Sequence, residues 1–167
     1  MSPKFWIITA IAIVMLSACT AADDSTSTSG SPSDVVQSAA QAYVDGFNNR
    51  DLTQFKTYFA TDTQGADPAG LAQTLDAAEK TMKTAEDNDQ FQLHDFQITT
   101  EETDQQNKLS TVHYTANVSI VRNQDLVVFS GNIEQDVALT KVGDKWLISG
   151  GDAPQITSDQ VVPTSEP

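Results

Sequence analysis

Cysteine, basic residues and long hydrophobic runs are all scarce in this sequence of 167 residues. The single cysteine, Cys19, has no partner for a disulfide within the chain, so the folded part must be stabilised by an apolar core alone. Nine Lys and Arg stand against 23 Asp and Glu, which gives a net charge of −14 at pH 7. This balance argues against binding to nucleic acid or to an anionic membrane surface, because both attract basic patches.

Motifs for catalysis or metal binding are also missing. The sequence has no His-Glu-x-x-His, no Gly-x-Ser-x-Gly and no phosphate-cradling glycine loop. Asp87-Asn88-Asp89 begins like a calcium loop but lacks the required glycine and distal glutamate, so it is interpreted as a solvated helix end. The two histidines, His94 and His113, fall on separate predicted strands, and a metal site would need Asp95 or Asp136 to converge on one of them. We therefore predict no catalytic residue, no metal ligand and no cofactor.

The longest apolar run lies near the amino terminus, from Phe5 to Leu16. As a helix it would be about 18 Å long, whereas the hydrocarbon core of a bilayer is about 30 Å thick. Lys4 precedes the run, and the small residues Ser17 and Ala18 follow it. This arrangement is typical of a cleaved signal peptide rather than of a spanning helix.

Leu16-Ser17-Ala18-Cys19 resembles the lipobox of bacterial lipoproteins. The resemblance implies cleavage between Ala18 and Cys19, a diacylglycerol on the Cys19 thiol and an acyl chain such as palmitate on the new amino terminus. The alternatives are an ordinary secretory signal cut after Ala18 and a retained membrane anchor. With lipid on Cys19, the protein is expected on the extracytoplasmic face of the cell membrane or outer membrane. Thr20 rather than Asp follows the cysteine, which favours the outer membrane in a host with two membranes.

Polar segments divide the rest of the chain. Residues 19–33, after the signal peptide of residues 1–18, are rich in Ser, Thr, Ala and Asp, so we predict a flexible lipidated tether. Its average reach is about 20 Å. Residues 154–167 are also polar and contain three prolines, which predicts a loose tail. Residues 34–153 then form one domain with one core.

The first part of this domain has the periodicity of helices. Ser33 or Asp34 is predicted to cap a first helix that ends near Asn49, and Asp51 to cap a short second one. Pro68 is predicted at the start of a third helix. The pairs Asp76–Lys80 and Glu79–Lys83 would support this third helix on its solvated side. The predicted apolar stripes are Val36, Ala39, Ala40, Tyr43, Val44 and Phe47; Leu52, Phe55, Tyr58 and Phe59; and Leu71, Leu75, Ala78 and Met82.

The second part alternates apolar and polar residues and predicts four antiparallel strands. They cover residues 91–100, with a bulge near Asp95, and residues 109–122, 126–142 and 145–149. The predicted inward residues are Val112, Tyr114, Ala116, Val118, Ile120, Val127, Phe129, Ile133, Val137, Leu139, Trp146 and Ile148. Helices followed by such strands give an α+β class, with N-terminal helices packed on a four-stranded antiparallel sheet.

Three segments carry a resemblance to the nuclear transport factor 2-like superfamily over residues 34–151. They are the opening helix Ala40-Gln41-Ala42-Tyr43-Val44-Asp45-Gly46-Phe47, the turn Asn49-Arg50-Asp51-Leu52 and the hairpin Val142-Gly143-Asp144-Lys145-Trp146-Leu147-Ile148. The resemblance implies a strongly curved sheet that wraps a long helix, forming a cone with an apolar cavity. Enzymes of this superfamily, isomerases and dehydratases, place Tyr, Asp or His in the cone, but none of their constellations maps onto this chain.

These observations predict a non-enzymatic lipoprotein that is held to the membrane through Cys19 and binds a small apolar ligand or an envelope protein. Candidate cavity residues are Tyr43, Phe47, Tyr58, Phe129 and Trp146, which could equally be plain core. One alternative is a small hydrolase, isomerase or dehydratase acting in the cone.

Another alternative is an interaction module that uses the outer face of the sheet, on which His113 is expected to be solvent-exposed. Its polar stripe comprises Thr111, His113, Thr115, Asn117 and Ser119, beside Ser130, Asn132, Glu134 and Asp136 if the two strands pair.

Overall fold

The structure, a computed structural model, describes residues 30–61, 68–152 and 155–161. The predicted signal peptide, Cys19 and the tether up to residue 29 lie outside the described residues. Among the helices of the described part, none combines the length and the apolar character needed to cross a membrane.

Three helices precede five strands, which confirms the α+β class. The helices are α1 (Pro32–Asn49), α2 (Thr53–Lys56) and α3 (Pro68–Thr84). The strands are β1 (Asp89–Asp104), β2 (Leu109–Arg122), β3 (Leu126–Val142), β4 (Lys145–Gly151) and β5 (Gln155–Val161).

Helix α1 begins earlier than predicted, because Ser31 is its cap and Asp34 is the reciprocal partner of that cap. The Asp34 main-chain N–H donates to Ser31 Oγ at 3.2 Å, and the Ser31 N–H donates to Asp34 Oδ2 at 2.9 Å. Pro32 occupies the first helical turn, where its missing N–H costs nothing. Arg50, with φ of 60°, ends the helix in the left-handed conformation.

The predicted second and third helices are both present, with changes of detail. Asp51 Oδ1 accepts hydrogen bonds from the N–H and hydroxyl of Thr53, as expected of a capping side chain, although Leu52 occupies the cap position and α2 has only four residues. In α3, Glu79 pairs with Lys83 at 3.1 Å as predicted, and it also pairs with Lys56 of α2. The second ion pair ties α3 to α2. The other predicted pair is wrong, because no ion pair joins Asp76 to Lys80 in the described part of the chain.

The sheet is antiparallel and curved, in the order β1-β2-β3-β4, with β5 also paired to β3. Strand β4 pairs with residues 137–142 of β3, and β5 pairs with residues 129–134 of the same strand. The two short strands therefore lie one after the other along β3. The predicted bulge at Asp95 is confirmed by its φ of 50° and by a register shift between His94 and Gln97.

Strand β5 corrects two predictions: the sheet has five strands rather than four, and residues 155–161 are not a loose tail. The segment is polar, so hydrophobic periodicity gave no signal for a strand. It is held instead by main-chain pairing to the part of β3 that the short β4 leaves unpaired. Residues 162–167 lie outside the described part of the chain.

The core lies between α1 and the inner face of the sheet. Phe47 and Leu139 are fully buried, as are Val35 and Val112. Most predicted inward residues are in the core or pack against it, but Val127 is 43% exposed. An extra residue between the pairs Ile120–Phe129 and Val121–Val127 shifts the register, which takes Val127 off the inner face.

Asp89, predicted to lie at a solvated helix end, is buried and only 5% exposed. Its carboxylate accepts hydrogen bonds from Arg122 Nε at 2.7 Å and Arg122 Nη2 at 3.1 Å, and from the Glu86 N–H at 2.9 Å. The Arg122 guanidinium lowers the pKa of Asp89 below its ordinary value. A carboxylate at this position therefore fastens the end of α3 to β2.

Gly151 ends β4 in a conformation that requires glycine, so Gly151→Ala should be strongly destabilising. Its φ is 141°, and an added Cβ would lie 2.4 Å from the main-chain oxygen of Asp136. Backbone strain and crowding together should cost roughly 2–6 kcal/mol. Urea unfolding followed by circular dichroism measures this loss.

Gly143→Ala is the matched control. Gly143 also has a positive φ, 63°, but nothing lies within 4 Å of an added Cβ. Only the left-handed conformation is penalised there, at about 1–2 kcal/mol. Equal losses for the two variants would contradict the close approach of Gly151 to β3.

Candidate functional site

The candidate site is a cavity of about 440 Å³ between the helices and the inner face of the sheet. Helices α1, α2 and α3 form one wall, and strands β1, β2, β3 and β4 form the other. Ile156 of β5 also lines the cavity and is 53% exposed, so it marks the rim where the cavity meets solvent.

Small side chains on the helices leave this space open. Ala39 and Ala40 of α1 and Ala77 and Ala78 of α3 face it, whereas the sheet contributes large apolar side chains. Because these four positions carry only methyl groups, they leave part of the concavity of the curved sheet unfilled. The sheet residues in the lining are Phe91, Leu93, Tyr114, Val118, Ile120, Phe129, Ile133, Gln135, Val137, Ile148, Gly150 and Ile156.

Two small groups of polar side chains, together with the Thr74 hydroxyl, interrupt the apolar lining. Tyr114 Oη donates to Gln135 Oε1 at 2.8 Å, and Gln135 Nε2 donates to the main-chain oxygen of Asp152 at 3.0 Å. On the helical wall, the Tyr43 hydroxyl lies near Thr81, whose own hydroxyl donates to the main-chain oxygen of Ala77 at 2.8 Å. In the described part of the protein, every buried side-chain nitrogen and oxygen has a hydrogen-bond partner.

The titratable groups in the lining are two tyrosines. Burial raises the pKa of Tyr43 and that of Tyr114 to about 12, because the interior disfavours the phenolate. Among the described lining residues there is no carboxylate, histidine, lysine or arginine. The cavity can therefore hold an apolar molecule, and none of its described side chains is a general base for proton abstraction at neutral pH.

The structure separates the five predicted cavity aromatics. Tyr43 and Phe129 line the cavity. Phe47, Tyr58 and Trp146 are instead buried in the core. Sequence reasoning did not assign Tyr114 or Gln135 to a cavity, although both fall on the inner face by strand alternation.

The two histidines lie on the outer face of the sheet, away from the cavity. His94 is exposed. His113, expected to be exposed, is half-buried: its Nδ1 lies 2.6 Å from Asp136 Oδ1 and its Nε2 lies 3.3 Å from Glu134 Oε1. Asp95 bonds to Asn117. Within the described ranges, no group of three or more His, Cys, Asp or Glu side chains is arranged to hold a metal ion.

The predicted pairing of the outer polar stripe is confirmed. His113 lies opposite Asp136, and Asn117 lies opposite Asn132. The neighbouring strands β1 and β5 extend this face on both sides. The outer face is therefore hydrophilic over β2 and β3, which is typical of the solvated side of an antiparallel sheet.

Comparison with solved structures shows a likeness in fold. The chain is similar to an uncharacterised protein with a cystatin-like fold from Caulobacter vibrioides, known from a crystal structure at 1.40 Å resolution. The sequence identity is 16%, the match covers 78% of this chain and 92% of that chain, and the TM-score is 0.51. No protein-family model matches the sequence, and no curated protein matches it.

The burial of the two cavity tyrosines predicts loss of stability at alkaline pH. A pKa raised in the folded state means that the stabilisation is complete below the unfolded value of about 10 and is lost as the pH rises through about 12. Tyrosinate absorbance at 295 nm and circular dichroism, recorded together, should show ionisation of these residues coinciding with unfolding.

Tyr43→Phe and Tyr114→Phe are the matched variants. Each should weaken the alkaline decline in unfolding free energy, since one ionisable group is removed and the ring is kept. Ionisation of Tyr43 and Tyr114 near pH 10 in a still-folded protein would contradict the buried positions described above.

Proposed function

We propose that this protein is a lipid-anchored extracytoplasmic lipoprotein whose domain binds an apolar small molecule in its cavity, without catalysis. The cavity carries the proposal. Its volume of about 440 Å³ falls within the range of about 300–1,000 Å³ found for small-molecule sites. Its lining is mostly apolar with a few convergent polar groups, which is the usual composition of such sites.

The polar groups support binding rather than chemistry. Proton transfer at neutral pH works best with a group whose pKa is near 7, whereas Tyr43 and Tyr114 have a pKa of about 12. The Tyr114 hydroxyl is also engaged in a hydrogen bond to Gln135, and the Tyr43 hydroxyl lies near Thr81. They can orient a ligand, and they remain uncharged while they do so.

The anchor and the wider relationship are proposed on separate grounds. Leu16-Ser17-Ala18-Cys19 and the polar residues after it support attachment of lipid at Cys19, with a tether before α1. The likeness in fold to the cystatin-like protein supports a relationship to nuclear transport factor 2-like domains, because both are cone-shaped α+β folds.

Cys19→Ser tests the anchor. The wild type should incorporate radiolabelled palmitate and sediment with membranes, because stable attachment takes two or more acyl chains. The variant should lose both properties. Thr20→Ser, which leaves the cysteine in place, is the control and should behave as the wild type. Membrane retention of unlabelled Cys19→Ser protein would overturn the proposal in favour of a retained anchor.

Ala78→Phe tests the cavity. Ala78 faces the cavity, whereas Ala72 of the same helix is exposed and lies outside the lining. The neutral dye N-phenyl-1-naphthylamine should bind the Cys19→Ser protein saturably. This variant is used because an unlipidated protein needs no detergent, which would compete with the dye for the cavity. Ala78→Phe should weaken binding about tenfold or more, a loss of about 1.4 kcal/mol, and Ala72→Phe should not. Unchanged binding to folded Ala78→Phe would exclude this cavity as the site.

A further inference from the structure

We propose that the cavity selects uncharged amphiphiles, molecules with an apolar body and one hydroxyl or amide group, and rejects fatty acids and other anions. This inference rests on the proposed function, because it concerns the ligand of the same cavity. It follows from where every positive charge of the chain lies and from how the polar groups in the lining are already used.

The cations of the described chain are all placed away from the cavity. Arg50 donates to the main-chain oxygens of Glu86 and Asp89, and Arg122 donates to the Asp89 carboxylate, where α3 connects to β1. Lys56 and Lys83 pair with Glu79. Lys141 lies over the Trp146 ring. The remaining basic residues with described side chains are exposed and outside the lining: Lys80, Lys108 and Lys145.

The undescribed residues cannot supply the missing charge. Beyond residue 29, the ranges 62–67, 153–154 and 162–167 contain no Lys, Arg or His, and the same is true of residues 68–70 and 158–161. Several of them are acidic, including Asp67 before α3 and Asp159 in β5. The only other basic residue, Lys4, precedes the proposed cleavage site. A buried anion would therefore meet no partner of opposite sign.

The hydrogen-bonding capacity of the lining points the same way. The Tyr114 proton is donated to Gln135, and the Thr81 proton is donated to Ala77. The Tyr114 oxygen is thus left with lone pairs only. Lone pairs accept a hydrogen bond from a hydroxyl or an amide N–H, but they repel a carboxylate.

Burying an unpaired charge is costly, so the preference of the cavity for uncharged ligands should be large. An unpaired carboxylate in an apolar site is so unfavourable that it takes up a proton instead of remaining ionised. A fatty acid should therefore bind only in its protonated form. Its apparent affinity should rise about tenfold for each unit by which the pH falls towards the carboxyl pKa.

Displacement of N-phenyl-1-naphthylamine from the Cys19→Ser protein by 1-decanol and by decanoic acid tests this. At pH 8, decanol should bind at least about 100-fold more tightly, and lowering the pH to 6 should strengthen only the acid. If the acid binds within threefold of the alcohol at pH 8, the charge selectivity is wrong, although the cavity still binds ligands. If dye and both compounds fail to bind, the proposed function itself fails and this inference fails with it.

Gln135→Lys adds a gain-of-function test. Gln135 lines the cavity beside Tyr114, so an ammonium group there should raise decanoate affinity at pH 8 about tenfold or more relative to decanol. Ala72→Lys, which adds the same charge on the exposed side of α3 outside the lining, is the control and should keep the wild-type preference. An unchanged preference in folded Gln135→Lys protein would also overturn the inference. If that variant does not fold, the wild-type comparison decides alone.

Discussion

The side-chain amide of Asn48 pairs with the main chain of Phe91, and the placement of α1 on the sheet depends on this contact. Asn48 Nδ2 donates to the Phe91 oxygen at 3.1 Å, and the Phe91 N–H donates to Asn48 Oδ1 at 2.8 Å. Because β1 is an edge strand, the amide takes the place of a neighbouring strand. Arg50 reinforces the junction by donating to the main-chain oxygens of Phe47, Glu86 and Asp89. Fixed at this end, α1 lies across the concavity and its preceding turns form the cavity wall.

How far the sequence predicts this fold depends on whether a segment has an apolar face. Strands β2 and β3 were predicted with the bounds observed, because their alternation is long and regular. Strand β1 continues to Asp104 through polar residues, and β5 is polar throughout most of its length. Both are held there by main-chain pairing, which leaves no pattern in composition. The start of α1 was missed for a different reason: Ser31, Ser33 and Asp34 are all residue types that can cap a helix.

The candidate site was predictable in part. Alternation placed Tyr114 and Phe129 on the inner face, and helical spacing placed Tyr43 towards it. Which aromatic side chains meet empty space depends on the distance between helices and sheet, and this distance is set by contacts far apart in the chain. Phe47 is completely buried for that reason, since it lies at the junction where α1 and β1 touch. The partners of His113 required the strand register together with the side-chain conformations.

The irregularities of the sheet have a consequence for how this domain can change over evolutionary time. Register shifts occur in β1 near Asp95, between β2 and β3 at Val121, and between β3 and β4 at Leu139. Bulges bend strands through the backbone itself, independently of the side chains that face the concavity. The shape of the cavity is therefore determined by the backbone of the sheet, separately from the side chains that line it. Substitutions in the lining can alter which molecule binds while the curvature of the sheet persists. New binding preferences can therefore arise by single amino-acid substitutions that leave the protein folded.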